Sequence, residues 1–67
     1  MNKFSKRLKE ILLCKEISQV KFAKMINVKK SSVSQWISGR CSPNLELFFR
    51  ICLVLNESAD YLLGLED

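Results

Sequence analysis

Between Ser18 and Ser38 two short amphipathic runs meet at Asn27-Val28, with neither glycine nor proline between them. Ser18 is a good N-cap, and Phe22, Ala23 and Ile26 supply the apolar stripe of a short helix that follows it. Asn27 ends that helix, because asparagine tolerates the left-handed conformation that closes many helices. The spacing predicts a second helix over about 29–38, with Val33, Trp36 and Ile37 on its inner side and Lys30, Ser31, Ser34 and Gln35 outward. Gly39 ends it. Two helices joined by so tight a turn make a helix-turn-helix, and the rest of the chain must supply the core that holds it.

The lysines of this stretch are its odd feature. Helix N-termini carry partial positive charge, so a cation in the first turn costs about 0.3–1 kcal/mol at low salt. Lys21 falls in the first turn of one helix, Lys29 and Lys30 at the start of the next. One such lysine is easily tolerated on a surface; three at two adjacent helix starts point to a polyanion. An approaching phosphate reverses the sign, since free amides, dipole and ammonium then converge on one anion. The outer face suits base reading as well. Glutamine pairs with adenine, lysine with guanine and serine with either kind of edge in the major groove. Trp36, three residues after Val33, is a core anchor rather than a stacking platform.

On the N-terminal side, Phe4, Leu8, Ile11, Leu12 and the stem of Lys15 recur at helical spacing, predicting a first helix from Phe4 to Glu16. On the C-terminal side, Arg40-Cys41-Ser42-Pro43-Asn44 is turn chemistry, with Asn44 or Ser42 as the cap of a fourth helix from Leu45 to Leu55. That helix is apolar on almost every face and must be central or shared. Asn56-Glu57 breaks it, and Ser58 with Asp60 begins a brief fifth helix, Ala59 to Leu63, before Gly64. No strand pattern, linker or repeat appears. The expected fold is all-α, one compact five-helix domain over residues 1–67, burying only about 60% of its unfolded surface.

The net charge of +4 conceals a split. Residues 1–40 hold ten basic and two acidic side chains, a net +8; residues 41–67 hold one and five, a net −4. A solvated basic face would account for the charge alone, but the split adds to the case that the N-terminal part meets nucleic acid. With no histidine and no Cys-x-x-Cys spacing, the usual zinc and redox-motif sites are missing, and no metal or cofactor is expected. Three separated cysteines read as reduced cytosolic thiols: Cys14 and Cys52 as small packing residues, Cys41 in the turn beside Arg40 as a weak candidate for a redox role. No run is long enough to span a bilayer. Nothing offers a nucleophile with a base, so an enzyme is not expected.

The order Ile17-Ser18-Gln19, Phe22-Ala23, Ile26-Asn27-Val28, Val33-Ser34-Gln35-Trp36, Gly39-Arg40 resembles the Cro/repressor-type (xenobiotic-response-element) helix-turn-helix family of bacterial and phage regulators. Pro43-Asn44-Leu45-Glu46, then Phe48, Ile51, Cys52 and Leu55, then Ser58-Ala59-Asp60-Tyr61-Leu62-Leu63-Gly64 continue the resemblance over nearly the whole chain. It implies a lambda-repressor-like DNA-binding domain whose third helix enters the major groove. Lys30, Ser31, Ser34 and Gln35 would then face bases, while Gln19, Lys21, Lys29, Ser38, Arg40 and Asn44 would lie at phosphates. It also implies a cytoplasmic, nucleoid-associated protein without a small-molecule ligand.

The sequence departs from the family pattern at informative places. Glu16 and Asn27 stand where many members have glycine, and Lys29 where many have a capping serine or threonine. Lys21 replaces a common glutamate. An ion pair common in the family, glutamate after the tryptophan with arginine on helix 1, is here Ile37 and Leu12, so those two side chains are expected to pack together. The family's inward positions on helix 4 are Phe48, Ile51, Cys52 and Leu55. Leu47, Leu53 and Val54 are surplus to such a core, and with Tyr61 and Leu65 they suggest a homodimer surface. Such a dimer would repress from a palindromic operator with half-sites about 34 Å apart. The alternative is a protein-interaction module on the same fold, antitoxin-like or anti-repressor, with helices 4 and 5 taking a protein partner.

Overall fold

The computed structural model describes residues 2–66, and all regular structure among them is helical. The order is α1 Lys3–Cys14, α2 Gln19–Met25, α3 Lys30–Ser38, α4 Leu45–Leu55 and α5 Ala59–Leu63. Four of these helices open on a polar cap. Asn2 accepts from the Ser5 amide at 2.7 Å, Ser18 from Lys21 at 3.0 Å, Asn44 from Leu47 at 2.8 Å and Ser58 from Tyr61 at 3.0 Å. Each satisfies an amide that would otherwise lack a partner inside its helix. At α3 the cap position is Lys29, which makes no such bond.

All five helices close in one way. Glu16, Asn27, Gly39, Asn56 and Gly64 each take a left-handed conformation just past a helix, with φ between 54° and 83°. Beyond each of them the chain bends back and donates to a carbonyl in the last turn: Ile17 to Leu12, Val28 to Ala23, Arg40 to Gln35, Glu57 to Cys52 and Leu65 to Asp60. That 6→1 bond is the Schellman closure, which an apolar contact between the residue after the left-handed one and the helix frequently accompanies. Ile17 and Val28 are half-buried and pack against the core, so the turns after α1 and α2 are pinned by packing as well.

These closures correct two expectations. The first helix ends at Cys14, two residues earlier than periodicity suggests, because Glu16 is needed in the left-handed position for Ile17 to reach the core. Lys15 is consequently exposed rather than on the apolar stripe, and Cys14 is exposed rather than a packing residue. α3 begins at Lys30, with Lys29 its extended cap residue instead of its first helical one.

The core lies between α1, α2 and α3 and is closed by α4 and α5. Leu8, Phe22, Ile26, Val33, Ile51, Leu55 and Leu62 are almost fully enclosed. Burying a side chain of this size contributes about 1.5–3 kcal/mol. Trp36 is 3% exposed, a core anchor as its spacing requires. Leu12 and Ile37 are both buried and line one recess with Ile17, where the family pattern has charges. Phe4 meets Phe48 edge to face at 5.7 Å, joining α1 to α4.

Candidate nucleic-acid interface

The helix-turn-helix angle is fixed from two sides. Beneath it, Phe22, Ala23 and Ile26 meet Val33, Trp36 and Ile37 in the core. Above it, the half-buried Ser34 hydroxyl on α3 donates to Gln19 Oε1 at the start of α2, at 2.9 Å. That bond commits the Ser34 proton and the Gln19 carbonyl, and leaves the Gln19 amide group as a donor beside the N-terminus of α2. A third constraint comes from α1, where the fully buried Ser5 donates its hydroxyl proton to the Trp36 carbonyl.

The sequence-derived residues fall into three groups. Lys30, Ser31 and Gln35 are exposed on the outer face of α3, with Lys21 and Lys29 exposed at the two helix starts. Ser34, Gln35, Ser38 and Arg40 line one shallow open depression at the C-terminal end of that face. Within it the Ser38 hydroxyl donates to the Gln35 carbonyl at 3.0 Å, and Gln35 Oε1 accepts from the Cys41 thiol at 3.2 Å. Asn44 is exposed, but its side-chain oxygen is held by the Leu47 amide, so only its amide group is free to donate.

Charge at the helix starts is strongly sorted. No acidic residue occupies the first turn of α1, α2 or α3, whereas α4 has Glu46 and α5 has Asp60. With no side-chain cap and no acid, the α3 N-terminus keeps the Lys30 and Ser31 amides and its dipole available, the Ser32 amide turning back to the Lys29 carbonyl at 3.0 Å, and Lys29 and Lys30 stand beside them. An anion placed there meets amides, dipole and ammonium groups together.

The dimer candidates divide as well. Leu53, Val54 and Leu65 are exposed, while Leu47 and Tyr61 are half-buried and pack against the chain's own core. The Arg7 guanidinium lies 4.4 Å from the Tyr61 ring centre and donates to the carbonyls of Tyr61 and Glu66, fastening α5 to α1. Sequence reasoning missed Arg7, Ser5 and also Arg50, whose guanidinium reaches the Ile26 carbonyl at 3.2 Å and Glu46 at 3.3 Å. Arg50 was the one with a signal, being the single cation after residue 40. Leu45, Phe49 and Leu63, exposed on α4 and α5, were missed too.

Of the cysteines, Cys52 is partly shielded, and burial pushes its thiol up from the ordinary value against a smaller lowering by a backbone hydrogen bond. No described helix is long and apolar enough to cross a membrane.

A family model described as helix-turn-helix matches residues 8–62. No curated protein and no solved structure matches the chain significantly.

Proposed function

The chain belongs to the Cro/repressor-type helix-turn-helix family of DNA-binding regulators, and from that premise we propose that it is a repressor that occupies a palindromic operator as a homodimer. In this reading α3 lies in the major groove. Lys30, Ser31 and Gln35 read base edges, Ser34 holds the reading helix to Gln19, and Gln19, Lys21, Lys29, Ser38 and Arg40 meet phosphates on either side. The observation that carries the reading is the start of α3: uncapped, free of acid and flanked by two exposed lysines, in a chain whose other helices are all capped. Folding alone gives no reason for that exception, and a phosphate does. The regulator's control would come from its concentration, its dimerisation and competition for the site.

Selection of bound sequences from a random duplex pool at moderate salt tests it. The expected result is one enriched half-site, arranged as an inverted repeat, with an affinity that falls steeply as salt rises. Failure to bind random duplex even at low salt, or an affinity independent of salt, would overturn the DNA reading in favour of a protein-interaction module. Enrichment of a single unrepeated site would overturn the homodimer on DNA.

A further inference from the structure

A glutamine is the most ambiguous reader on the outer face of α3. Its terminal amide carries an acceptor, Oε1, and two donor protons on Nε2, and half a turn about the last side-chain torsion exchanges the two ends. In the folded chain Gln35 is held at its backbone and at its side chain. Its main-chain carbonyl accepts from the Arg40 amide at 3.0 Å, in the closure over left-handed Gly39, and from the Ser38 hydroxyl at 3.0 Å. That closure folds the chain beyond Gly39 back onto the last turn of α3. The next residue, Cys41, then meets the Gln35 side chain, its thiol donating to Oε1 at 3.2 Å.

The neighbouring hydroxyls are engaged elsewhere. Ser34, which lines the same depression as Gln35, gives its proton to Gln19 at 2.9 Å, and Ser38 gives its own to the Gln35 backbone. The thiol is therefore the group that sets which way the amide faces, with Oε1 toward the turn and both Nε2 protons left to donate.

We propose that Gln35, held in this way, reads a G·C pair through guanine, and that Cys41 sets the preference as its positioning residue. The inference rests on the reading of α3 as the major-groove helix and names the base that one of its residues takes. Adenine offers N7 as an acceptor and N6 as a donor, so its bidentate pair with glutamine needs Oε1 and Nε2 both facing the base. An Oε1 turned to the thiol keeps a second lone pair, so that pairing is weakened rather than forbidden. Guanine presents two acceptors, N7 and O6, and asks only for protons, so its contact with Nε2 loses nothing. Cys41 touches no base in this account and acts through Gln35.

Binding of the full, reduced chain to duplexes varied one base pair at a time across its selected half-site tests the assignment. The pair read by Gln35 is the one at which Gln35→Ala erases the preference. There the parent should favour G·C over A·T, and Cys41→Ala should shift the ratio about fivefold toward A·T. Preferences at the other pairs and the salt slope should stay as they were, whereas a thiol that merely stabilised the turn would change affinity for every sequence alike. Cys41→Ser keeps a proton to donate and should keep the parent ratio. A parent that does not favour G·C at that pair, a ratio unmoved by Cys41→Ala, or a Cys41→Ser that behaves as Cys41→Ala would overturn the assignment and leave Gln35 a base reader. A Gln35→Ala that alters preference at no pair, or a chain that binds no duplex, would overturn the premise and the assignment with it.

Discussion

The three helices before Arg40 open without an acid in the first turn, and one of them without a cap, whereas the two after it have both. α4 and α5 open as isolated helices prefer to, each with a capping side chain, Asn44 or Ser58, and an acid, Glu46 or Asp60, in the first turn. α2 has its cap but Lys21 where an acid would help, and α3 has neither cap nor acid and two lysines instead. A cap contributes about 1 kcal/mol and a favourable first-turn charge about 0.3–1 kcal/mol. The acidic half keeps both terms and the basic half gives them up at one place. Where the departures from local stability cluster, an external anion is the term that completes the balance.

The largest effects that sharpen this contrast are those that touch binding without touching the fold. Lys30→Ala and Gln35→Ala remove exposed side chains, so stability should stay within about 0.5 kcal/mol of the parent. Cognate DNA binding should weaken by about 1–3 kcal/mol, and preference should relax at the base pair each residue reads. Equal losses on cognate and random duplex would show that these residues only meet phosphate. A loss of thermal stability matching the loss of binding would erase the division of labour on α3.

Next comes a substitution whose two effects should have opposite signs. Lys29→Asp supplies the missing α3 cap and an acid at the positive end of the dipole. Stability should rise by about 1 kcal/mol, which in a domain of this size raises Tm by about 4–8 °C. DNA affinity should fall about tenfold or more, with a salt slope shallower by about one unit, because a phosphate contact is replaced by repulsion. If Lys29→Asp unfolds the protein more easily, the cap is not what α3 lacks. If it binds DNA as before, the lysine is not at the backbone.

How much of this was legible in advance follows from which interactions are local. Caps and closures are read from neighbouring residues, so the bounds of α4 and α5 came out to the residue, and α3 differs only in whether Lys29 is counted as cap or helix. The end of α1 was misplaced because its closure depends on Ile17 reaching the core, a tertiary event. The outward positions of α3 follow from its period, but the Ser34–Gln19 bond joins residues fifteen apart and has no periodic signature. Arg7, Ser5 and Arg50 were invisible for a shared reason. Each donates to a backbone carbonyl, of Tyr61 and Glu66, Trp36 or Ile26, that only the folded chain brings within reach. On α4, apolar all round, the pattern gave no outer face. Leu47 was thus taken for surplus although it is half-buried, and Leu45 and Phe49, exposed like Leu53, were not set among the surface candidates.

Asn44 sits on the border between the halves and carries an expectation from each. As the α4 cap it should be worth about 1 kcal/mol, so Asn44→Ala should lower Tm by about 4–8 °C. Asn44→Asp keeps the capping oxygen and removes only the amide donor, replacing it with negative charge. If Asn44 meets a phosphate, Asn44→Asp should weaken DNA binding while Tm holds. If binding is unchanged, Asn44 belongs wholly to the acidic half and its only work is to start α4.

The smallest effect concerns how the two halves close their helices. α1 closes on Glu16 and α4 on Asn56, both left-handed, at φ 57° and 54°. An ordinary side chain in that conformation costs about 1–2 kcal/mol, since its Cβ crowds the following carbonyl, whereas asparagine is among the residues that visit it readily. Glycine removes the crowding but adds about 0.4–1 kcal/mol of conformational freedom to the unfolded chain, which offsets part of the gain. Glu16→Gly should therefore stabilise the protein by about 0.5–1 kcal/mol. Asn56→Gly should change stability by a few tenths at most, with either sign. Denaturant unfolding of the two variants side by side measures the difference directly. Equal changes would mean that the Glu16 turn carries no strain, and that Ile17, packed against the core just beyond it, fixes the end of α1 whatever residue precedes it.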